Sequence, residues 1–394
     1  MKILLVSWST LPNKGGSSII VENLAKNFKK DELVVLGSKT FFQDTDMDRP
    51  VDGPVFEYFV SEMYLMGRGY KYFNWFRKWR FRPLINRIKS IFKKQKIEYV
   101  IGVYPNPFYC HAACIAARES GIPFSSYFHN TYTDNIAITD PKATTIQQEI
   151  FDQSEYIFVM SDGMKRFYEQ KYQLDKFRSL IHTFNKYPEI SPFKGIINAQ
   201  SPYCKLVAIG NFNESNMDAT LRFAAAIHQH KKYKLSLFTH VPKILLKKRG
   251  MDLTNVEHEG FVDPDQVHEV LQHYDICVLT HGFTGGYGVI EYKTIFPTRM
   301  IPLLLSGKPI IAHSPDGSFL NAFIKENKCA LLVDQPSKDA ILNALDQLSN
   351  NSELQKGLVE ASKKTAEKFY GPEVVKRWKA TLARNQNNYD EVNV

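Results

Sequence analysis

The stretch from 281 to 312 carries residues whose types and spacing suit the binding of a phosphorylated ligand. Its glycines, among them Gly285 and Gly286, let backbone N–H groups approach an anion closely. Pro297 and Thr298 are typical of a helix start, and helix N-termini attract negative charge. Arg299 would lie in the first turn, where its planar guanidinium can pair with a diphosphate. The alternative for Arg299 is a surface arginine or an interdomain salt bridge.

Two more candidate sites follow predicted strands. Gly15 and Gly16 come after the strand Ile3–Val6 and before a helix, a place where a phosphate or a sugar can bind, although plain tight-turn geometry explains the glycines equally well. His129 closes the strand Phe124–Phe128. It would stand at the carboxyl edge of a sheet, where α/β proteins bind ligands. The alternative is a histidine that only caps the strand end.

Short β-rich runs alternate with helical patterns along most of the chain, which predicts an α/β fold with two parallel sheets. A Pro- and Gly-containing polar segment, 186–203, interrupts the alternation and predicts an interdomain linker. We therefore expect an N-terminal domain over 1–187 and a C-terminal domain over 203–370, with a final helix, 371–385, that packs back on the first. The predicted strands are Ile3–Val6, Leu33–Leu36, Val55–Phe59, Tyr99–Val103, Phe124–Phe128, Tyr156–Met160, Leu180–Thr183, Leu206–Ile209, Lys234–Phe238, Asp275–Leu279, Pro309–Ala312 and Ala330–Val333.

The formal net charge of +9 is a local property of the stretch 70–96. Ten basic and no acidic residues lie between Lys71 and Lys96, and the rest of the chain has a formal charge of −1. One interpretation is a crossover helix packed on the sheet, with its cations in solvent. The other rests on aromatic residues mixed with the cations, which favour the headgroup layer of an anionic membrane or an anionic glycan. Nucleic acid is not expected.

The composition is that of a globular protein, with 44% hydrophobic and 23% charged residues over 394 positions. The five cysteines form no C-x-x-C pair, which indicates a reducing compartment. The apolar run Met1–Val6 is too short for a signal-peptide core. We expect a cytoplasmic protein, peripheral on the inner face of the cell membrane if 70–96 binds lipid.

Three stretches together resemble the retaining glycosyltransferases of family 4. They are the strand, paired glycines and helix near the N-terminus, V-E-H-E-G-F-V-D-P-D-Q-V-H-E-V-L-Q-H-Y-D-I-C-V-L-T (256–280), and an F-P-T-R run followed by G-K-P-I within 281–312. The resemblance implies the GT-B architecture, two Rossmann-like domains facing each other across a cleft, with a nucleotide-sugar donor bound by the second. It also implies that Phe261 and Val262 meet the nucleotide base, unless Phe261 is only a core aromatic. His129 would face the transferred sugar.

The chain departs from this family at two places. The pair of acids that holds the donor would fall at Thr294 and Pro302, and neither is acidic. Glu291 is the nearby carboxylate that could replace them, unless it is a helix-start or solvent-facing residue. Asn211 and Asn216 stand where relatives often have phosphate-binding cations. More of the diphosphate binding would then fall to Arg299 and to loop amides.

These residues predict transfer of a sugar from a nucleotide-diphosphate sugar to a glycan or a lipid-linked acceptor, in cell-surface polysaccharide or lipopolysaccharide synthesis. Helix dipoles and cations can stabilise a departing diphosphate, and the sequence has no Asp-x-Asp site, so we expect no metal or other cofactor. The resemblance implies retention. A non-catalytic scaffold that binds nucleotide or glycan, and a sugar-nucleotide epimerase, remain alternatives. The predicted site is His129 as catalytic residue, Gly15 and Gly16 as acceptor or phosphate loop, and Asn211, Phe261, Val262, Gly285, Gly286, Glu291, Thr298 and Arg299 for the donor.

Overall fold

A computed structural model describes residues 1–11, 16–39, 44–45, 49–60, 70–195, 203–228, 230–284 and 286–392, with the side chains of 70–77 and 384–392 left out. Contacts divide the chain into two compact units. Unit 1 comprises Met1–Asn185 and the segment from Gly371 onward, and unit 2 comprises Lys186–Tyr370. Each unit contains one sheet of parallel strands with helices between them. The predicted α/β class with two parallel sheets is confirmed.

Unit 1 contains a seven-stranded sheet in the order β3-β2-β1-β4-β5-β6-β7. The strands consist mostly of buried apolar residues, as expected for a parallel sheet covered on both faces. They are β1 Ile3–Ser7, β2 Leu33–Lys39, β3 Val55–Val60, β4 Tyr99–Tyr104, β5 Phe124–Phe128, β6 Ile157–Val159 and β7 Phe177–Ser179. The helices are α1 Gly16–Ala25, α2 Tyr70–Gln95, α3 Pro107–Ser120, α4 Ala143–Gln153, α5 Asp162–Tyr172 and the C-terminal α14 Gly371–Val392.

One strand of unit 1 lies three residues before its predicted place. The apolar run Leu180–Thr183 was expected to pair, but β7 is Phe177–Ser179, which matches the three residues of β6 one for one. The backbone N–H of Leu180 donates the last bond to Val159, at 2.8 Å. Its carbonyl then accepts the hydroxyl of Tyr127, also at 2.8 Å. Residues 181–183 therefore belong to the carboxyl edge of the sheet and not to a strand.

The C-terminal helix α14 packs on the core of unit 1. The Trp378 ring contacts Phe28 and Phe158 edge-on, with centroids 5.7 Å and 5.8 Å away. Val374, Val375 and Leu382 are buried in the same cluster. The helix enters through Gly371, whose N–H donates to the carbonyl of Phe184 at 2.8 Å. The core of unit 1 is therefore completed by a helix that lies, in sequence, after unit 2.

Unit 2 contains a six-stranded sheet in the order β10-β9-β8-β11-β12-β13. Its strands are β8 Cys204–Ile209, β9 Tyr233–Phe238, β10 Val256–Gly260, β11 Ile276–Thr280, β12 Ile310–His313 and β13 Leu331–Val333. Its helices are α6 Met217–Ile227, α7 Lys243–Lys248, α8 Val267–Gln272, α9 Val289–Thr294, α10 Met300–Leu304, α11 Phe319–Asn327, α12 Lys338–Asn350 and α13 Ser352–Ala366. Short 3₁₀ turns cover Pro264–Gln266 and Glu367–Phe369.

Strand order reverses once in each sheet, between β1 and β4 in unit 1 and between β8 and β11 in unit 2. Connections leave in opposite directions at such a point, so a crevice opens beyond the carboxyl ends of the two strands, and ligands of open α/β sheets bind there. No helix in the described part of the chain is long and apolar enough to span a bilayer.

Candidate functional site

Arg299 lies at the reversal point of the unit 2 sheet. Its Nη2 donates to the carbonyl of Thr280, the last residue of β11, at 2.5 Å. Its Nη1 donates to the carbonyl of Asn211, just beyond β8, at 3.4 Å. The guanidinium also lies 5.8 Å from the centre of the Phe212 ring. Burial lowers the pKa of Arg299 to about 10, so the side chain is a cation at neutral pH that bridges the ends of β8 and β11.

The helix beside Arg299 begins later than predicted. Pro297 and Thr298 form a turn whose carbonyls accept the N–H groups of Met300 and Ile301, at 2.9 Å and 3.2 Å. Helix α10 starts at Met300 and has five residues. Arg299 is therefore the residue before the helix and not part of its first turn. Pro302 is the third residue of α10, in the first turn, where its missing N–H removes no helical hydrogen bond.

The glycines after β11 allow two loops to pack tightly against each other. The N–H of Gly282 donates to the carbonyl of Ser215 in the loop after β8, at 2.8 Å. A Cβ atom at Gly282 would lie 2.6 Å from that oxygen, and one at Gly286 would lie 2.6 Å from the carbonyl oxygen of Glu214. The two glycines therefore serve loop packing. Gly285 lies outside the described residues.

A hydrogen-bonded network behind this loop was not predicted. Asp218, at the start of α6, accepts the backbone N–H of Phe283 at 2.9 Å. Arg222 lies one turn later on α6, 3.6 Å from the same carboxylate, and its guanidinium stands 4.8 Å from the Phe283 ring centre. Arg222 also contacts Nε2 of His313 at 3.0 Å. The i,i+4 spacing of Asp218 and Arg222 was readable, but nothing in the sequence linked them to Phe283.

Two buried histidines at this edge are held neutral. His313 ends β12, and its Nδ1 donates to the carbonyl of Val333 at 2.9 Å, which leaves Nε2 as the acceptor for Arg222. His281 begins the loop after β11 and donates to the carbonyl of Tyr292 at 2.8 Å. Burial lowers the pKa of each to about 4. Both rings are therefore hydrogen-bonded within the protein.

The remaining residues that were predicted to bind the nucleotide-sugar donor lie along the same sheet edge or in α9. Asn211 is exposed beside the Arg299 bridge. Phe261 and Val262 follow β10, two strands from β8 and so about 10 Å away. The Phe261 side chain is 51% exposed, which contradicts a core role. Glu291 is buried in α9, which contradicts a solvent-facing role. Thr294, in place of the expected acid, bonds to its own helix through the carbonyl of Ile290, at 2.8 Å.

In unit 1, His129 directly follows β5 and is buried. Its backbone N–H donates to the carbonyl of Tyr104 at 3.1 Å. Neither ring nitrogen has a hydrogen-bond partner among the residues that the structure describes. The ring packs edge-on against Tyr127, with centroids 4.3 Å apart, and lies 6.4 Å from the His182 ring. Burial and the neighbouring His182 lower the pKa of His129 well below its usual range, so it is neutral, and the ring does not act as a strand cap.

The glycine pair near the N-terminus is only partly described. Gly15 lies outside the described residues, and Gly16 is the first residue of α1. Behind it, the hydroxyl of Ser18 contacts that of Ser9, which follows β1, at 2.7 Å. This bond ties the start of α1 to the carboxyl end of β1.

Helix α2 covers the basic stretch, and several of its cations are paired. Arg82 and Lys89 contact Glu119 of α3 at 2.6 Å and 3.0 Å. Arg87 and Lys94 contact Glu57 of β3 at 2.5 Å and 3.3 Å. These four cations are therefore ion-paired, which was not expected, while Arg82 and Lys94 also stay mostly exposed to solvent as predicted. Trp79 and Lys78 are exposed, and the side chains of 70–77 lie outside the described residues.

No group of three or more His, Cys, Asp or Glu side chains that could hold a metal ion occurs within the described ranges. A site without metal stays a prediction.

No protein-family model matches the sequence, and no curated protein matches it significantly. Solved structures do match over nearly the whole chain. HepE of Anabaena, in complex with UDP and glucose, is 12% identical with a TM-score of 0.72, covering 97% of this chain and 99% of its own. Sucrose-phosphate synthase of Thermosynechococcus elongatus is 14% identical with a TM-score of 0.71, covering 99% and 100%. The lipopolysaccharide outer core galactosyltransferase WaaB is 15% identical with a TM-score of 0.65, covering 98% and 100%.

The chain has the GT-B fold. This confirms the predicted fold class, because these structures align over almost the full length of both chains. At such low identity the likeness concerns the fold and assigns no activity or residue role.

Proposed function

We propose that this protein is a glycosyltransferase that moves a sugar from a nucleotide-diphosphate sugar to a glycan or lipid-linked acceptor. The observation that carries the proposal is the Arg299 cation at the reversal point of the unit 2 sheet, in a chain with the GT-B fold. That crevice is where a sheet of this order binds its ligand. The fold neighbour HepE was solved with UDP, which supports a nucleotide donor here.

Arg299 would hold the diphosphate of the donor. A guanidinium has five N–H donors, and the carbonyls of Thr280 and Asn211 occupy two. The others are available to phosphate oxygens. A cation fixed by two carbonyls needs little reorganisation as charge develops on the leaving diphosphate. The exposed Phe261 ring, farther along the same edge, would stack near the base.

A buried carboxylate would take over the role of the missing acids. Glu291 is one candidate, because it is buried in α9 next to the glycine-rich loop. Asp218 is another, since its Oδ1 is buried without a hydrogen-bond partner in the described part of the chain. A carboxylate with an unused acceptor can bind a ribose or sugar hydroxyl.

His129 would contact the transferred sugar from unit 1. A neutral, buried imidazole with two unused nitrogens can accept one sugar hydroxyl and donate to another. We further propose that transfer proceeds with retention and without a metal, as in the enzymes that the sequence resembles. The acceptor class, a growing cell-surface glycan or its lipid carrier, fits the exposed Trp79 and Lys78 of α2, and such an enzyme would work at the cytoplasmic face of the membrane.

The test is isothermal calorimetry of the purified protein against UDP, GDP, ADP and their common sugars, with Arg299→Ala and Arg299→Lys. One nucleotide diphosphate should bind selectively. At a ligand concentration one hundred times Kd, it should raise the free energy of unfolding by about 2.7 kcal/mol. Arg299→Ala should lose at least tenfold in affinity, and Arg299→Lys less. The matched control is Arg178→Ala, a half-buried arginine of unit 1 paired with the exposed Asp175.

A scaffold that binds but does not transfer is favoured by one observation, the replacement of both expected acids by Thr294 and Pro302. Slow hydrolysis of the bound nucleotide-sugar in the absence of acceptor separates the two functions, because a scaffold would release the sugar nucleotide unchanged. Binding of no nucleotide, or equal binding by wild type and Arg299→Ala, would contradict the donor site itself.

A further inference from the structure

Helix α7 of unit 2 exposes two aliphatic side chains. Its sequence is K-I-L-L-K-K, and only Leu246 is buried in the core. Ile244 is 63% exposed and Leu245 is 43% exposed. With about 3.6 residues per turn, Ile244 and Lys248 lie one turn apart on the side opposite Leu246. The helix therefore presents an apolar strip directly to solvent.

Three lysines surround this strip. Lys243, Lys247 and Lys248 are all exposed, and none forms a salt bridge within the described ranges. No acidic residue occurs between 243 and 251. We call Lys243, Ile244, Leu245, Lys247 and Lys248 the α7 surface. It differs from α2, where Glu57 and Glu119 neutralise four cations.

We propose that the α7 surface docks on an anionic lipid bilayer. Aliphatic side chains flanked by lysines suit the boundary between headgroups and acyl chains, since the lysine stems pack on apolar surface while the ammonium groups reach the phosphates. The uncompensated positive charge selects an anionic leaflet over a neutral one. This docking depends only on the exposure and charge of α7, whatever the chemistry of the donor site.

The position of α7 connects this surface to the candidate site. The helix follows β9, so it lies at the carboxyl edge of the sheet that also carries Arg299. Just after the helix, Arg249 donates to the carbonyl of Phe212 at 3.1 Å and lies 3.6 Å from Glu214. Both partners belong to the loop after β8. A bilayer bound to α7 would therefore be held close to the proposed donor loop.

The experiment is co-sedimentation of the full chain with vesicles of phosphatidylcholine alone or mixed equally with phosphatidylglycerol. One variant combines Lys243→Gln, Lys247→Gln and Lys248→Gln, and a second combines Ile244→Ser and Leu245→Ser. The matched control combines Lys356→Gln, Lys363→Gln and Lys364→Gln, which removes the same charge from exposed positions of α13 in the same unit.

The wild type should sediment only with anionic vesicles, and high salt should weaken binding because it screens surface charge. Each lysine near an anionic leaflet contributes about a factor of five, so the α7 lysine variant should bind at least tenfold more weakly while the control stays within twofold. The serine variant should weaken binding at low and high salt alike. Equal binding to neutral vesicles, equal losses in the control, or sedimentation without vesicles, which indicates contact between copies of the chain, would each overturn the proposal.

Discussion

The carboxyl edges of the two sheets differ in how completely their buried polar groups are hydrogen-bonded. In unit 2, Arg299 bridges β8 and β11, and Asp218, Arg222 and His313 link α6 to the glycine-rich loop, although Oδ1 of Asp218 has no partner among the described residues. In unit 1, the ring nitrogens of His129 and the hydroxyls of Thr10 and Thr183 are buried without partners among the described residues. Buried polar groups left unpaired cost stability. One edge is thus preformed by its own bonds, and the other carries a cost that a bound hydroxylated ligand would offset.

The largest expected effect is a loss of folding stability in acid, caused by two histidines of the unit 2 edge. His281 and His313 have folded pKa values of about 4, below the 6.5 of an ordinary histidine. The unfolded chain therefore binds more protons between these values, so their contribution to stability is complete above pH 6.5 and is lost as pH falls toward 4. Each group should contribute up to about 1.4 kcal/mol per pH unit in that window.

Urea unfolding at several pH values measures this slope. His313→Gln keeps an amide that can bond but cannot titrate, so its stability should fall less steeply between pH 6.5 and 4 than that of the wild type. Parallel curves for the two proteins would show that His313 is not held neutral in the native state.

Replacement of His129 should lower activity without lowering the stability of the fold. His129→Leu replaces two unpaired nitrogens with an apolar side chain, so the free energy of unfolding should stay the same or rise. Turnover should fall by about a hundredfold or more, as is usual when a polar group that contacts the reacting substrate is removed. Denaturant unfolding and a donor-transfer assay on the same preparation measure both. A variant that is destabilised but fully active would show that His129 stabilises the fold and does not serve a ligand.

Arg222 should show the opposite pattern. Arg222→Ala removes the bond to His313 and the contact with Asp218, so we expect a loss of about 2 kcal/mol in unfolding free energy. Nucleotide affinity should fall only modestly, because Arg299 keeps its own carbonyl partners. Lys325→Ala is the matched control, since its ion pair with Asp316 is exposed and solvent screens such pairs, so the free energy of unfolding should stay close to that of the wild type. Equal losses in the two variants would argue against a structural role for the network.

The sequence predicted those features that depend on nearby residues. Apolar runs placed most strands within one or two residues, and the position of His129 after Phe128 placed it at a sheet edge. The Arg299 environment was predicted less well. Its helix starts at Met300, and its bonds to Thr280 and Asn211 join segments 19 and 88 residues away. Local patterns carry no information on such partners.

Surface charge was also beyond the reach of the sequence. Ten cations in one stretch suggested a charged face, yet Glu57 and Glu119 come from a strand and a helix outside that stretch. The run I-L-L in α7 gave no indication of which residue is buried, because one helical turn places Leu246 inside and Ile244 outside. Pairing and exposure are set by tertiary packing, which a periodicity argument does not contain.

The close approach at Gly282 and Gly286 has a consequence for redesign. A Cβ atom at Gly282 would lie 2.6 Å from the backbone oxygen of Ser215, and one at Gly286 would lie 2.6 Å from that of Glu214. The loops after β8 and β11 therefore depend on each other for their packing. Neither loop can be exchanged by itself for that of another protein, because an incoming loop with a different backbone path would not pack against the remaining loop. Chimeras that aim to change the specificity of the proposed donor site should therefore transplant residues 210–216 and 281–288 together.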